Sequence, residues 1–177
     1  MLRLRRPDLT QRRDIKMPRA FTLLEVLVTV VIIAIIATAV APAFTNDNHL
    51  RLVAAVNVLS SDLELAQVMT ISYPDSPVVV RFNPDKQMYW LAYASDPDNP
   101  ITRAGTGEAY LTVMGQGRAA SAQGVTLKLD DVANDTIEFN AQGGLVDFTG
   151  KPMIQLNRGD ASITLSISPT TGTTTES

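Results

Sequence analysis

The sequence predicts an α+β protein in which a long N-terminal helix, membrane-spanning in its first half, precedes an antiparallel β-rich globular domain of two packed sheets. Three regions of the chain indicate this class. Residues 21–44 form an apolar run, residues 45–73 an amphipathic continuation of the helix, and residues 77–167 alternate between short apolar segments and turn residues. Because several of these short segments alternate apolar and polar residues, antiparallel pairing with one buried face is expected.

The apolar run over 21–44 is long enough to cross a membrane. Its 24 residues would form a helix roughly 36 Å long, against a hydrocarbon core of about 30 Å. The run contains one charged residue, Glu25, and one helix breaker, Pro42. Because a carboxylate in hydrocarbon costs about 2.5–3.5 kcal/mol, Glu25 is expected to have a partner or a specific role.

The charges on the two sides of this run predict its orientation. Residues 1–20 contain seven Arg or Lys and two Asp, a net charge of +5, whereas residues 21–177 contain eight basic and sixteen acidic residues, a net charge of −8. The basic flank is expected to stay in the cytoplasm and the acidic remainder to be exported. The chain has no cysteine, which excludes disulfides and thiolate metal sites.

The segment from Arg19 to Glu25, RAFTLLE, resembles the processing site of type IV prepilins and type II secretion pseudopilins. The resemblance implies that prepilin peptidase cuts between Ala20 and Phe21, removes residues 1–20 as a basic leader and methylates the new amino group of Phe21. It implies two alternative roles for Glu25: recognition by the peptidase, or assembly with a neighbouring subunit. The sequence does not decide between them. Ala20 departs from the family, which prefers Gly before the cut.

Two other interpretations of the N-terminal region compete with this one. A secretory signal peptide would be cut after small residues at 39 or 41, although its apolar core is usually shorter. An ordinary single-span anchor explains the length of the run but not Glu25. The start of translation, at Met1 or at Met17, also stays open.

A stripe of apolar residues at spacings of four and three predicts that the helix continues past Pro42 and packs against the sheet that follows. Polar residues such as Asp62 and Gln67 are expected mostly off this stripe, and two prolines, Pro74 and Pro77, end the helix. The stripe consists of Leu52, Val56, Leu59, Leu63, Ala66 and Thr70.

The pattern after Pro77 predicts strands. Residues 78–82 and 87–93 are expected to pair as a hairpin around a turn at 83–86, and residues 95–100 to form a loop. The Thr-rich tail over 168–177 is predicted to be disordered. Further strands are predicted at 109–114, 124–129, 135–140, 144–148, 152–157 and 161–167.

This order of elements resembles the GspH/FimT minor pseudopilins over about residues 19–167. Besides the cleavage motif, the resemblance lies in Leu59-x-x-Asp62-Leu63-x-x-Ala66-Gln67 and in Ile137-Glu138-Phe139-x-x-x-Gly143. It implies a single-pass protein of the bacterial inner membrane, with a cytoplasmic N-terminus and a periplasmic globular domain that joins a periplasmic filament.

The implied function is that of a minor pseudopilin, a structural subunit that helps drive protein export by type II secretion. Its implied partners are prepilin peptidase, other pseudopilins or pilins and the inner membrane. The alternative is a FimT-type minor type IV pilin acting in pilus assembly or DNA uptake. Gln67 occupies a position at which the GspH/FimT branch often has Arg.

Enzymatic and ligand-binding functions find little support in the residues. His49 is the single histidine, and no G-x-S-x-G, P-loop or G-x-G-x-x-G motif occurs, so no catalytic residue, cofactor or small-molecule substrate is expected. The acidic groups at 96–99 and 130–135 lack EF-hand spacing, so no metal site is assigned. With a net charge of −8 after residue 20 and only Lys151 and Arg158 as a thin basic patch, no nucleic-acid partner is expected.

Overall fold

The computed structural model describes residues 22–40, 47–146 and 150–177, and the chain divides into two compact units, Met1–Ala43 and Phe44–Ser177. In the first unit, α1 spans Leu23–Val40. In the second, α2 spans Asp47–Ser72 and precedes a set of short strands. These strands are β1 Val78–Asn83, β2 Met88–Tyr93, β3 Asp96–Pro100, β4 Leu111–Val113, β5 Thr126–Asp130, β6 Thr136–Glu138, β7 Met153–Arg158, β8 Ala161–Ile167 and β9 Thr174–Glu176.

Helix α1 has no buried face over residues 23–37, the part whose side chains the structure describes. Its 18 residues give a length of roughly 27 Å, and the apolar side chains between Leu23 and Ile36 are exposed, Leu23 at 84%. A helix that is apolar on all sides and unburied needs a membrane or other helices to cover it. Phe21 and residues 41–44, including Pro42, lie outside the described residues, as does the predicted continuity from α1 into α2.

Helix α2 is the central element of the globular unit. The predicted stripe is confirmed, because all six of its residues are buried. The prediction for Asp62 was wrong: this residue is 2% exposed and lies on the buried side of the helix. The helix ends at Ser72, where Tyr73 N still donates to Met69 O at 2.9 Å and Pro74 has no N–H to continue the pattern.

The first sheet has the strand order β3-β2-β1-β6, and β4 pairs with β2 beside β3. The predicted hairpin is confirmed, with β1 and β2 antiparallel in a register that pairs Val80 with Leu91. Its turn is a 3₁₀ segment, Pro84–Lys86, and Gln87 follows in the left-handed conformation with φ 51°. The Gln87 side chain accepts a hydrogen bond from Leu127 N of β5, so the hairpin turn is tied to the second sheet.

The loop predicted over 95–100 was wrong, because Asp96–Pro100 forms β3. Proline cannot donate a ladder hydrogen bond, so a segment with two prolines is tolerated at a sheet edge, which is where β3 lies. The indole Nε1 of Trp90 donates to Pro97 O at 2.9 Å and holds this edge strand on β2.

The second sheet has the antiparallel order β5-β7-β8-β9. The predicted disordered tail over 168–177 instead contains β9, which pairs Thr175 with Ser166. Strand β9 was not predicted because the segment has no alternation of apolar residues and is held by backbone pairing with β8. The strand predicted over 144–148 is reduced to a bridge between Leu145 and Phe139 in the described residues, and residues 147–149 lie outside them.

One apolar core joins α2 to both sheets. Leu59 and Leu63 of α2, Leu91 of the first sheet, and Ile154 and Leu165 of the second are each at most 1% exposed within the same cluster. The shared core confirms the predicted α+β class with two antiparallel sheets, and it shows that α2 packs against both of them.

Candidate processing and assembly segment

Helix α1 begins with a side-chain cap at Thr22. The Glu25 N–H donates to Thr22 Oγ1 at 3.2 Å and to Thr22 O at 3.0 Å, and the Val26 N–H donates to Thr22 O at 3.2 Å. Thr22 is therefore the N-cap, and Glu25 is the third helical residue, the order of a capping box. The sequence reasoning missed this role of Thr22, although the T-x-x-E spacing signals it.

Glu25 lies exposed in the first turn of α1. The free backbone N–H groups at the start of a helix favour a carboxylate there, by roughly 0.3–1 kcal/mol at an exposed position. Within the described residues no ion pair involves Glu25. Ala20 and Phe21 lie outside the described residues, so the cut between them and the methylation of Phe21 stay predictions.

In the globular unit, Asp62 is the centre of a buried polar cluster. Its Oδ1 lies 2.7 Å from Arg118 Nη2, and its Oδ2 accepts from Tyr89 Oη at 2.8 Å and from Thr112 Oγ1 at 3.3 Å. Burial, and next the negative charge of Asp62, raise the pKa of Tyr89 well above its ordinary value of 10.0. The Tyr89 and Thr112 hydroxyls and the Arg118 guanidinium each contact the Asp62 carboxylate, so the cluster joins α2, β2, β4 and the 3₁₀ segment Gly117–Ala122.

Gln67 joins α2 to two distant turns. Its Nε2 donates to Gly143 O at 2.7 Å and to Thr171 O at 2.8 Å. Gly172 lies beside this contact with φ +67°, and a Cβ there would meet Gly143 O at 2.2 Å. The two segments that carry the GspH/FimT resemblance, 59–67 and 137–143, therefore meet in space through Gln67.

The remaining polar candidates are dispersed. His49 is exposed at the start of α2, and neighbouring Asn48 accepts from Arg158 Nε at 2.7 Å. Lys151 precedes β7 and Arg158 ends it, so their α-carbons lie roughly 23 Å apart along an extended segment. In the described part of the chain no group of three or more His, Cys, Asp or Glu is arranged to hold a metal ion.

The described helices differ in what covers their apolar residues. By length and composition alone, Asp47–Ser72 is long and apolar enough to cross a membrane, whereas the apolar stretch Leu23–Ala37 is shorter. Asp47–Ser72 is nevertheless the core helix of the globular unit, with eight buried residues. The exposed α1 is therefore the better candidate for the membrane anchor.

Comparison with known families identifies the N-terminal region. The profile of the prokaryotic N-terminal methylation motif matches residues 15–41. No curated protein and no solved structure matches the chain. The match spans the predicted cut, the Thr22 cap, Glu25 and α1, and this type of signal implies processing by prepilin peptidase, anchoring in a membrane and assembly with other pilins. The chain thus carries the prepilin-type signal of type IV pilin-like and pseudopilin subunits, a class of structural subunits rather than enzymes.

Proposed function

We propose that this chain is a minor pseudopilin, a structural subunit of a periplasmic filament that helps drive protein export by type II secretion. The observation that carries the proposal is the methylation motif over 15–41, placed directly before a compact globular unit. The meeting of segments 59–67 and 137–143 at Gln67 supports the GspH/FimT branch within that class.

Glu25 provides the physical basis for assembly in this proposal. Cleavage after Ala20 creates a positive α-amine on Phe21, four residues before Glu25. When apolar helices such as α1 leave the lipid and pack together, an unpaired carboxylate among them costs several kcal/mol. Pairing Glu25 with the amine of a neighbouring subunit removes that cost and fixes the axial register of the two helices.

The acidic character of the globular unit supports export over DNA uptake. Phosphate binding needs clustered Lys or Arg, whereas Lys151 and Arg158 lie at opposite ends of β7 and Arg158 is engaged by Asn48. A FimT-type minor pilin remains the alternative. A gel-shift titration with duplex DNA separates the two: salt-sensitive binding at low micromolar concentration would favour DNA uptake, and binding no tighter than that of an unrelated acidic protein would favour export.

The assembly role is tested in the host with Glu25→Ala and a matched control, Glu64→Ala, which removes an exposed carboxylate from α2. We expect both variants to insert into the inner membrane, and Glu25→Ala alone to lose co-purification with partner subunits and protein export. If Glu25→Ala co-purifies with partners as well as the unaltered chain does, Glu25 is not an assembly contact. If deletion of the gene leaves export intact, the secretion function is wrong.

A further inference from the structure

A small cavity lies where α2 ends against the first sheet. Its volume is about 230 Å³, and it is lined by Met69, Tyr73, Ser76, Val78 and Tyr93. Val78 forms a buried apolar floor, while the two tyrosines are 69% and 44% exposed. We call this the tyrosine slot. It is smaller than the roughly 300–1,000 Å³ typical of small-molecule pockets, and its size suits a single side chain.

The end of the helix creates the slot. Because Tyr73-Pro74-Asp75-Ser76 turns away from α2, with Ser76 N donating to Tyr73 O at 3.0 Å, no further helical turn covers the end of the sheet. Thr70 Oγ1 accepts from Val78 N at 2.9 Å and fixes the strand beneath the last turn. These contacts hold the backbone that carries the lining side chains, so the fold of the unit sets the position of the slot.

Two exposed carboxylates, Asp75 and Asp96, belong to the segments that carry the tyrosines, although neither residue lines the slot itself. Asp75 lies between Tyr73 and Ser76 in the turn. Asp96 is the cross-strand partner of Tyr93, at the point where the register of β2 and β3 shifts, and cross-strand partners are neighbours in a sheet. The Asp96 oxygens accept from Asn99 Nδ2 at 3.0 and 2.9 Å, so this carboxylate is held in place. The flanks of the slot are therefore negative.

No basic side chain of the neighbouring segments neutralises these carboxylates. The sequence has no Lys or Arg between Arg51 and Arg81, or between residues 87 and 102. Arg81 alternates with Val78 and Val80, so it lies on the opposite face of β1. There its guanidinium donates to Asn134 O and Thr136 Oγ1 and lies 3.8 Å from the Asp98 carboxylate of β3.

We propose that the tyrosine slot binds an arginine or lysine side chain of a partner protein. The aliphatic stem would lie on Val78 and Met69, the cation against the tyrosine rings, and Asp75 and Asp96 would supply the opposite charge. The chain already uses the same chemistry internally, since the Arg103 guanidinium lies 4.7 Å from the Tyr110 ring centroid. This docking site goes beyond the proposed filament role and does not depend on which filament the chain joins.

The test uses the full chain in detergent micelles with 3-fluorotyrosine, because fluorine NMR then reports separately on its four tyrosines. Signals are assigned with Tyr→Phe variants, and the probes are N-acetyl-arginine amide, its neutral isostere N-acetyl-citrulline amide, and N-acetyl-leucine amide. We expect the arginine probe to shift the signals of Tyr73 and Tyr93 but not those of buried Tyr89 or of Tyr110, and the other two probes to bind more weakly.

Charge variants test the carboxylates. Asp75→Asn and Asp96→Asn should each weaken binding of the arginine probe about twofold to fivefold, the range of an exposed ion pair. Asp85→Asn, an equal change of charge in the exposed β1–β2 turn, should not. The proposal is overturned if no probe shifts Tyr73 and Tyr93, if citrulline or leucine amide binds as tightly as the arginine probe, or if Asp85→Asn weakens binding as much as the slot variants do.

Discussion

The Asp62 carboxylate of α2 lies 2.7 Å from the Arg118 guanidinium in the 3₁₀ segment after β4. The aspartate side chain is 3% exposed and the arginine side chain 34%, so one charge is inside the core while its partner reaches it from the surface. This arrangement supplies a buried carboxylate with a cation and fixes the segment Gly117–Ala122 against the helix.

We expect Asp62→Asn to lower the free energy of unfolding by about 2–3 kcal/mol. The loss is smaller than the 3–5 kcal/mol typical of a fully buried pair, because Arg118 can turn toward water. Denaturant unfolding followed by fluorescence of the single tryptophan, Trp90, measures it. Glu64→Gln, an exposed change two residues further along α2, is the control and should alter stability by less than about 0.5 kcal/mol.

The raised pKa of Tyr89 predicts a loss of stability at alkaline pH. The folded protein retains the Tyr89 proton after the unfolded chain has begun to lose it, so this contribution is complete below about pH 10 and declines above it, by about 1.4 kcal/mol per pH unit. In Tyr89→Phe we expect the free energy of unfolding to fall less steeply with pH above pH 10, by the amount that corresponds to one proton. The control is Tyr93→Phe, at an exposed tyrosine. If Tyr89→Phe leaves the slope unchanged, the assignment is contradicted.

Gly172 and Gly107 allow a matched test of the turn that Gln67 holds. Their φ angles are +67° and +69°, so an alanine at either position meets the same backbone strain. A Cβ at Gly107 meets nothing within 4 Å, whereas one at Gly172 meets Gly143 O at 2.2 Å. Gly172→Ala should therefore destabilise the protein by about 1–3 kcal/mol more than Gly107→Ala does, measured by thermal or denaturant unfolding.

Mass spectrometry of the protein from its host membranes should show a chain that begins with N-methylated Phe21. Because the small residue before the cut is Ala20 rather than the glycine the family prefers, Ala20→Gly should be processed at least as fast. An intact leader, or a cut after residue 39 or 41, would contradict the prepilin interpretation.

Local patterns predicted the parts of the fold that local interactions form. The apolar stripe of α2 and the β1–β2 hairpin both follow from side-chain periodicity, and Asn83 caps its turn by accepting from Lys86 N at 3.0 Å. Strands β3 and β9 were missed for a physical reason. Neither has an apolar alternation, and each is held by pairing with a neighbour that single-sequence periodicity does not reveal.

The same limit applies to the candidate site. The motif from Arg19 to Glu25 is contiguous, so the sequence alone pointed to it. Asp62 was expected off the apolar stripe because it is polar, although its position three residues after Leu59 and four before Ala66 puts it on the buried face. The contact of Gln67 with Thr171 joins residues 104 positions apart, which no local pattern can indicate.

Strand β9 also shields the edge of β8 from pairing with other copies of the chain. It pairs with β8 over only three residues and ends in Glu176, so the outer edge it presents to other copies is short and negatively charged. At the opposite margin, the Gln87 side chain occupies the Leu127 N–H. Short, charged or blocked margins discourage amyloid-like stacking. Another copy of the chain therefore finds little free strand edge in this sheet to pair with, which lowers the risk of aggregation through it.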